Sequence, residues 1–191
     1  NRLVCSRQFG SDERKVLRIL AERFPNLQIE EIDSTTLFDQ QQLPVTPAQL
    51  LTGFTSYRKQ AEQLPVPPPA QAPMSLPRPV LRAVPAHQQP DWIPASYRRP
   101  AVSQTKNSIA AMGGGEAAGK QHLHDYFSGT LPSSYKETRN ELDGWTNSSK
   151  LSPWLNQGCL SLRRVTQTLR TYEQKHGSNE STQWLFFELL W

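Results

Sequence analysis

Ser148, Ser149, Lys150, Leu151 and Ser152 set hydroxyls and an ammonium group directly before Pro153 and Trp154. Ser152 reads as a helix N-cap and Pro153 as the first helical residue. Amide N–H groups at such an end have no partner inside the helix, and the helix dipole makes the end electropositive. Phosphate is a natural ligand there. Lys150 adds a full charge, and Ser148 and Ser149 add short donors. Taken by itself, the segment reads first as a lysine beside an ordinary helix cap.

A second candidate is Glu188, which interrupts the apolar run Trp184, Leu185, Phe186, Phe187, Leu189, Leu190. An ionised carboxylate inside an apolar helix is costly unless it is paired or faces a polar cavity. Trp191 lies three residues on, on the same helix face. The other residues of that run read as core. A third pattern, Gly114 through Lys120, matches the start of a phosphate-binding GxxxxGK loop. The next residue is Gln121, so the hydroxyl that would hold magnesium is absent, and no strand precedes it. A glycine-rich helix entry is the favoured reading.

Composition narrows the classes. The chain has 191 residues and a net charge of +4, which suits a polyanionic partner without requiring one. Cys5 and Cys159 fit no metal-ligand spacing and read as reduced thiols in an intracellular protein, cytoplasmic in a bacterium. His122 and His124 lack Cys or acidic partners at a zinc-like interval, so no metal is expected. No apolar run reaches the ~20 residues of a membrane helix. The first residue is Asn1, with no signal-peptide layout, and the chain reads as the middle of a gene product.

The elements that must position these groups fall into three regions. In residues 2–38 the apolar run at Leu3, a capped helix from Ser11 with Val16, Leu17, Ile19, Leu20 and Phe24 at helical spacing, and Leu27, Ile29 and Ile32 predict a βαβ unit of a parallel sheet. One such unit cannot cover both faces of its sheet, so further strands are expected from outside the chain. Eleven of the 16 prolines lie between Pro65 and Pro100, which predicts extended, PPII-like linker structure, anchored by Trp92, Ile93 and Tyr97. Beyond it the spacing predicts helices over 116–127, after Ser152, over 161–172 with Leu162, Val165, Leu169 and Tyr172 in one stripe, and over 182–191.

Three segments in order, Ser134-Tyr135-Lys136-Glu137-Thr138-Arg139-Asn140, then residues 148–161, then residues 179–191, together resemble the photolyase/cryptochrome family of flavoproteins, and most closely its DASH cryptochrome branch. The resemblance implies an α/β fold, a partial βαβ of a Rossmann-like antenna domain (residues 1–44). A proline-rich interdomain linker (45–111) and the first part of a mostly α-helical FAD-binding domain (112–191) follow, with the chain truncated at both ends. Leu43-Pro44 and residues 54–59 are similar to the pattern after the last antenna strand, and Gly114-Gly115-Glu116 to the opening of the first catalytic-domain helix.

By the same resemblance, Tyr135 approaches the phosphate or adenosine side of FAD, and Ser148, Ser149, Lys150, Leu151 and Ser152 hold its pyrophosphate. Many photolyases carry Thr-Ser-Arg where this chain has Ser148-Ser149-Lys150, and lysine keeps the charge without the bidentate fork. Glu188 would hydrogen-bond a flipped pyrimidine dimer and act in catalysis, and Trp191 would stack on the lesion. Gln157 and Gln183 depart from the branch and take no role. The implied activity is light-driven repair of cyclobutane pyrimidine dimers, in single-stranded DNA, by a monomer with a folate-type antenna (methenyltetrahydrofolate). The alternatives are a blue-light photoreceptor without repair turnover and an inactive truncated paralogue. The flavin-ring contacts and the photoreduction tryptophans would lie past Trp191, so this chain alone is expected to be inactive.

Overall fold

The computed structural model describes residues 1–43, 53–75 and 112–190. Asn1–Pro69 and Gly114–Trp191 form one compact unit, and Ala70–Gly113 a second. Of the second, only residues 70–75 and 112–113 are described, so Trp92, Ile93, Tyr97 and most of the proline-rich stretch lie outside the described residues.

Strands β1 (Arg2–Ser6) and β2 (Gln28–Ile32) pair in parallel, Arg2 opposite Gln28 and Ser6 opposite Ile32. Parallel neighbours need a crossover, here α1 (Ser11–Arg23), which opens with Asp12 and Glu13 in its first turn as the dipole favours. Within the described residues α1 buries none of its side chains, and Val16, Ile19 and Val4 are exposed. The strand–helix–strand unit thus forms with Leu3, Leu17, Leu20 and Ile29 half-buried and Val4, Val16, Ile19 and Ile32 exposed. Past β2 the chain turns inward at Leu37 and Phe38, both buried, and closes in a 3-10 turn (Gln40–Gln42) whose cap Asp39 exchanges hydrogen bonds with Gln42.

The core lies among the helices. In order they are α2 (Phe54–Ala61), α3 (Gly115–Ser128), α4 (Tyr135–Thr138), α5 (Ser152–Asn156), α6 (Leu162–His176) and α7 (Glu180–Glu188). Ser161 caps α6, its hydroxyl accepting from the Arg164 amide, and Gly177 ends it at φ 87. Val165, Leu169 and Tyr172 form its buried stripe, as the spacing predicts, while Leu162 is only half-buried. Full burial of a leucine such as Leu169 contributes about 2–3 kcal/mol. Leu123 and Phe127 of α3 and Leu185 and Phe186 of α7 complete the core. Asn179 and Thr182 form a reciprocal cap that starts α7 at Glu180, two residues earlier than the apolar pattern suggests. Polar cap chemistry, invisible to hydrophobic periodicity, sets that boundary.

Arg163 of α6 holds the buried turn after β2. Its Nε donates to the Leu37 carbonyl at 3.1 Å, and its Nη2 meets Asp39 at 2.7 Å. Among the described residues no helix is long and apolar enough to cross a membrane.

Candidate functional site

The serine-lysine segment starts a helix, but not by the predicted cap. Ser152 is the first residue of α5, and Leu151 occupies the cap position. Leu151 is already right-handed helical (φ −78, ψ −18), and its carbonyl accepts from the Trp154 and Leu155 amides. The turn therefore begins one residue early, with the Ser152 hydroxyl inside it and exposed, and Pro153 second in the helix.

Lys150 takes a left-handed backbone, φ 52, directly before right-handed Leu151. Alternating hands turn successive amide N–H groups toward one concave side, an arrangement that receives anions. Buried Leu151 pins the segment from below, while Ser148, Ser149 and Lys150 are half-buried. Two neighbours hold its backbone. The His122 Nε2–H of α3 donates to the Ser149 carbonyl at 2.8 Å, with its ring 4.7 Å from that of Trp154. The Thr138 hydroxyl donates to the Asn147 carbonyl at 2.9 Å. Hydroxyls, amides and one ammonium on a fixed loop are a donor set that fits a pyrophosphate.

The second group gathers at the end of α7. Arg139 Nη1 pairs with Glu188 Oε1 at 2.6 Å, and Trp184 Nε1 donates to the same oxygen at 2.9 Å. The Arg139 guanidinium lies 5.0 Å over the Trp184 ring, and Lys136 Nζ lies 5.7 Å from it. Tyr135 is buried beside them. Its hydroxyl is pushed up, first by burial and then by the Glu188 charge, with Arg139 opposing. Ser181 clasps α4 to α7. Its buried hydroxyl accepts from the Lys136 amide at 2.9 Å and donates to Glu137 at 2.7 Å, which holds the Glu137 carboxyl below its usual range.

Of the residues singled out from sequence, Tyr135 and Glu188 come together, and the 148–152 segment hangs from α4 through Thr138 and from α3 through His122. Trp191 lies outside the described residues. His122, Arg139 and Trp184 carry contacts that sequence reasoning missed. Arg139 stands inside the motif around Tyr135, and Trp184 stands one helical turn before Glu188, the only signals available. The apolar run predicts Trp184 as plain core; it is half-buried, with its indole N–H spent on Glu188.

The GxxxxGK match lies within and just before α3, where Lys120 pairs with Glu116 at 2.5 Å. Gly119 is a packing residue, since a Cβ there would stand 3.0 Å from the Trp154 side chain and 3.1 Å from Leu160. Among the described residues no three His, Cys, Asp or Glu side chains gather to hold a metal. A cleft of about 790 Å³ opens near the end of β1, lined by Arg7, Phe9, Thr36, Phe54, Tyr57 and Leu189.

No family model matches the chain. It is 40% identical over 183 residues to a cryptochrome DASH of Vibrio parahaemolyticus, covering 95% of this chain and 38% of that protein. The crystal structure of a Synechocystis cryptochrome superposes with a TM-score of 0.82 at 35% identity, over 97% of this chain and 38% of that one. A class III photolyase from Agrobacterium tumefaciens, at 18% identity, shares the fold with a TM-score of 0.64 over 100% of this chain and 39% of its own. The chain thus spans less than half the length of the proteins it matches. Over that span it is similar to the DASH cryptochromes of the photolyase/cryptochrome family.

Proposed function

We propose that the protein carrying this chain is a flavin-dependent DASH cryptochrome with photolyase activity, repairing cyclobutane pyrimidine dimers in DNA by light-driven electron transfer. The observation that carries this reading is the Glu188 carboxylate, kept in an apolar helix and held there by Arg139 and Trp184. Paired in this way the charge is tolerated there, and its oxygens are acceptors for a donor on a ligand. Glu188 would accept a hydrogen bond from the flipped pyrimidine, and Trp191 would stack on it. Single-stranded DNA is the proposed substrate, because extrusion costs less without a paired strand. The net charge of +4 suits a polyanion.

The same reading assigns FAD to the loop before α5. Ser148, Ser149 and Ser152 offer hydroxyls, the backbone around Lys150 and Leu151 offers amides, and Lys150 offers its charge to the pyrophosphate. Tyr135 takes the phosphate or adenosine side. Bound and reduced, the flavin supplies the photoexcited electron. A folate-type antenna belongs to the proposal, and the cleft at β1 has volume, arginine and aromatic walls in keeping with an anionic aromatic group. We assign residues 1–44 to the end of the antenna domain, 45–111 to the linker and 112–191 to the start of the FAD-binding domain, in a monomer.

The test is blue-light irradiation of the reduced full-length protein with a dimer-containing oligonucleotide, reading the return of pyrimidine absorbance. Restored absorbance, reduced in Glu188→Gln with flavin retained, supports the assignment. Equal repair by the variant removes Glu188 from the reaction. Bound flavin without repair in the parent protein would point to a photoreceptor instead.

A further inference from the structure

Resting on the repair reading of Glu188, we propose that Trp184 and Arg139 are positioning residues, which fix the Glu188 carboxylate through Oε1 so that Oε2 is presented to the extruded base. The hydrogen bond from Trp184 and the ion pair from Arg139 both fall on Oε1. The Glu188 side chain is 29% exposed, so a bound group can still reach it. As a carboxylate it only accepts, and what it meets must be an N–H or O–H donor such as a pyrimidine edge.

One feature argues that this arrangement exceeds an ordinary interhelix pair. The groups holding the carboxylate are themselves locked. The Trp184 ring meets Arg139 on its face at 5.0 Å and packs edge-on to Phe187 at 5.0 Å. Arg139 therefore touches both the ring and the carboxylate the ring binds. A free glutamate side chain loses rotamer entropy when it is fixed. Here that ordering precedes substrate, which is the condition for a selective acceptor.

The experiment compares dimer-containing with undamaged oligonucleotides on the flavin-loaded full-length protein. Trp184→Phe keeps an aromatic ring and removes the indole N–H. Preference for the dimer should fall about tenfold, the scale of one hydrogen bond to a charged group, with undamaged affinity and flavin content unchanged. Adding Glu188→Gln to Trp184→Phe should cost little more, because both act through one carboxylate. Additive losses, or equal losses on both oligonucleotides, would overturn the proposal. Arg139→Lys should recover part of the preference lost in Arg139→Gln; no recovery counts against it. The Trp184 indole N–H resonance gives a readout independent of DNA. It should move in Glu188→Gln, and an unmoved resonance refutes the contact. A parent protein without dimer preference would sink the repair reading, while the resonance would still decide whether Trp184 holds Glu188.

Discussion

The Nε2–H of His122 donates to the carbonyl oxygen of Ser149 at 2.8 Å, so α3 fixes the backbone of a loop 27 residues further along the chain. A carbonyl can only accept, which sets the imidazole proton on Nε2. His122→Phe would keep a ring against Trp154 and leave that carbonyl without its donor. Flavin affinity of the full-length protein should fall several-fold, the net value of one hydrogen bond being about 1 kcal/mol. His122→Gln should restore part of it. Flavin-to-protein ratios after dialysis check both, and full retention in His122→Phe would show that the loop needs no such anchor.

Lys150 separates conformation from charge. Its left-handed backbone, φ 52, costs a side-chain-bearing residue about 1 kcal/mol. Lys150→Gly should therefore raise Tm or leave it unchanged, while Lys150→Val should lower it. Both remove the ammonium, so both should weaken flavin retention. A glycine variant that binds flavin as well as the parent would remove Lys150 from the phosphate contacts.

Gly119 distinguishes packing from nucleotide binding. With Trp154 at 3.0 Å from an added Cβ, Gly119→Ala should destabilise by about 1–3 kcal/mol through overpacking. Lys120, exposed and paired with Glu116, should tolerate alanine almost without effect. Denaturant midpoints measure both. A nucleotide that protects the parent but not Lys120→Ala would revive the phosphate-loop reading.

Asp33 should shape the acid limb of stability. The Gln40 amide donates to its Oδ2 at 3.0 Å and Arg7 Nε to its Oδ1 at 2.5 Å, and these hold the carboxyl below its usual range, the backbone hydrogen bond foremost. A lowered folded value means stability that is complete above about pH 4 and lost as pH falls through that lowered value. Asp33→Asn should be less stable than the parent at neutral pH, and the difference should close in strong acid. Denaturation curves across that range check the sign, and a gap independent of pH would assign the effect to packing.

Local rules carried much of the fold into view. The stripe Val165, Leu169, Tyr172 is buried on α6 as its spacing requires, and β1–α1–β2 forms a parallel pair as its pattern predicts. Boundaries were less legible. Ser152 has the composition of a cap, yet the turn begins at Leu151, because the left-handed step at Lys150 turns the chain into the helix one residue early.

What the sequence determined by itself is local and chemical. It specified which residue types stand at helical spacing, a carboxylate set in an apolar run, and hydroxyls beside a lysine before a proline. These follow from order along one strand of chain, and so does the kinship with DASH cryptochromes. Tertiary structure alone decided which groups meet. Tyr135, Arg139, Trp184 and Glu188 converge only because Ser181 clasps α4 to α7 across 45 residues, and the Ser148–Lys150 loop keeps its place through His122 and Thr138. Such contacts depend on side-chain packing between segments distant in sequence, and no pattern within either segment encodes its partner.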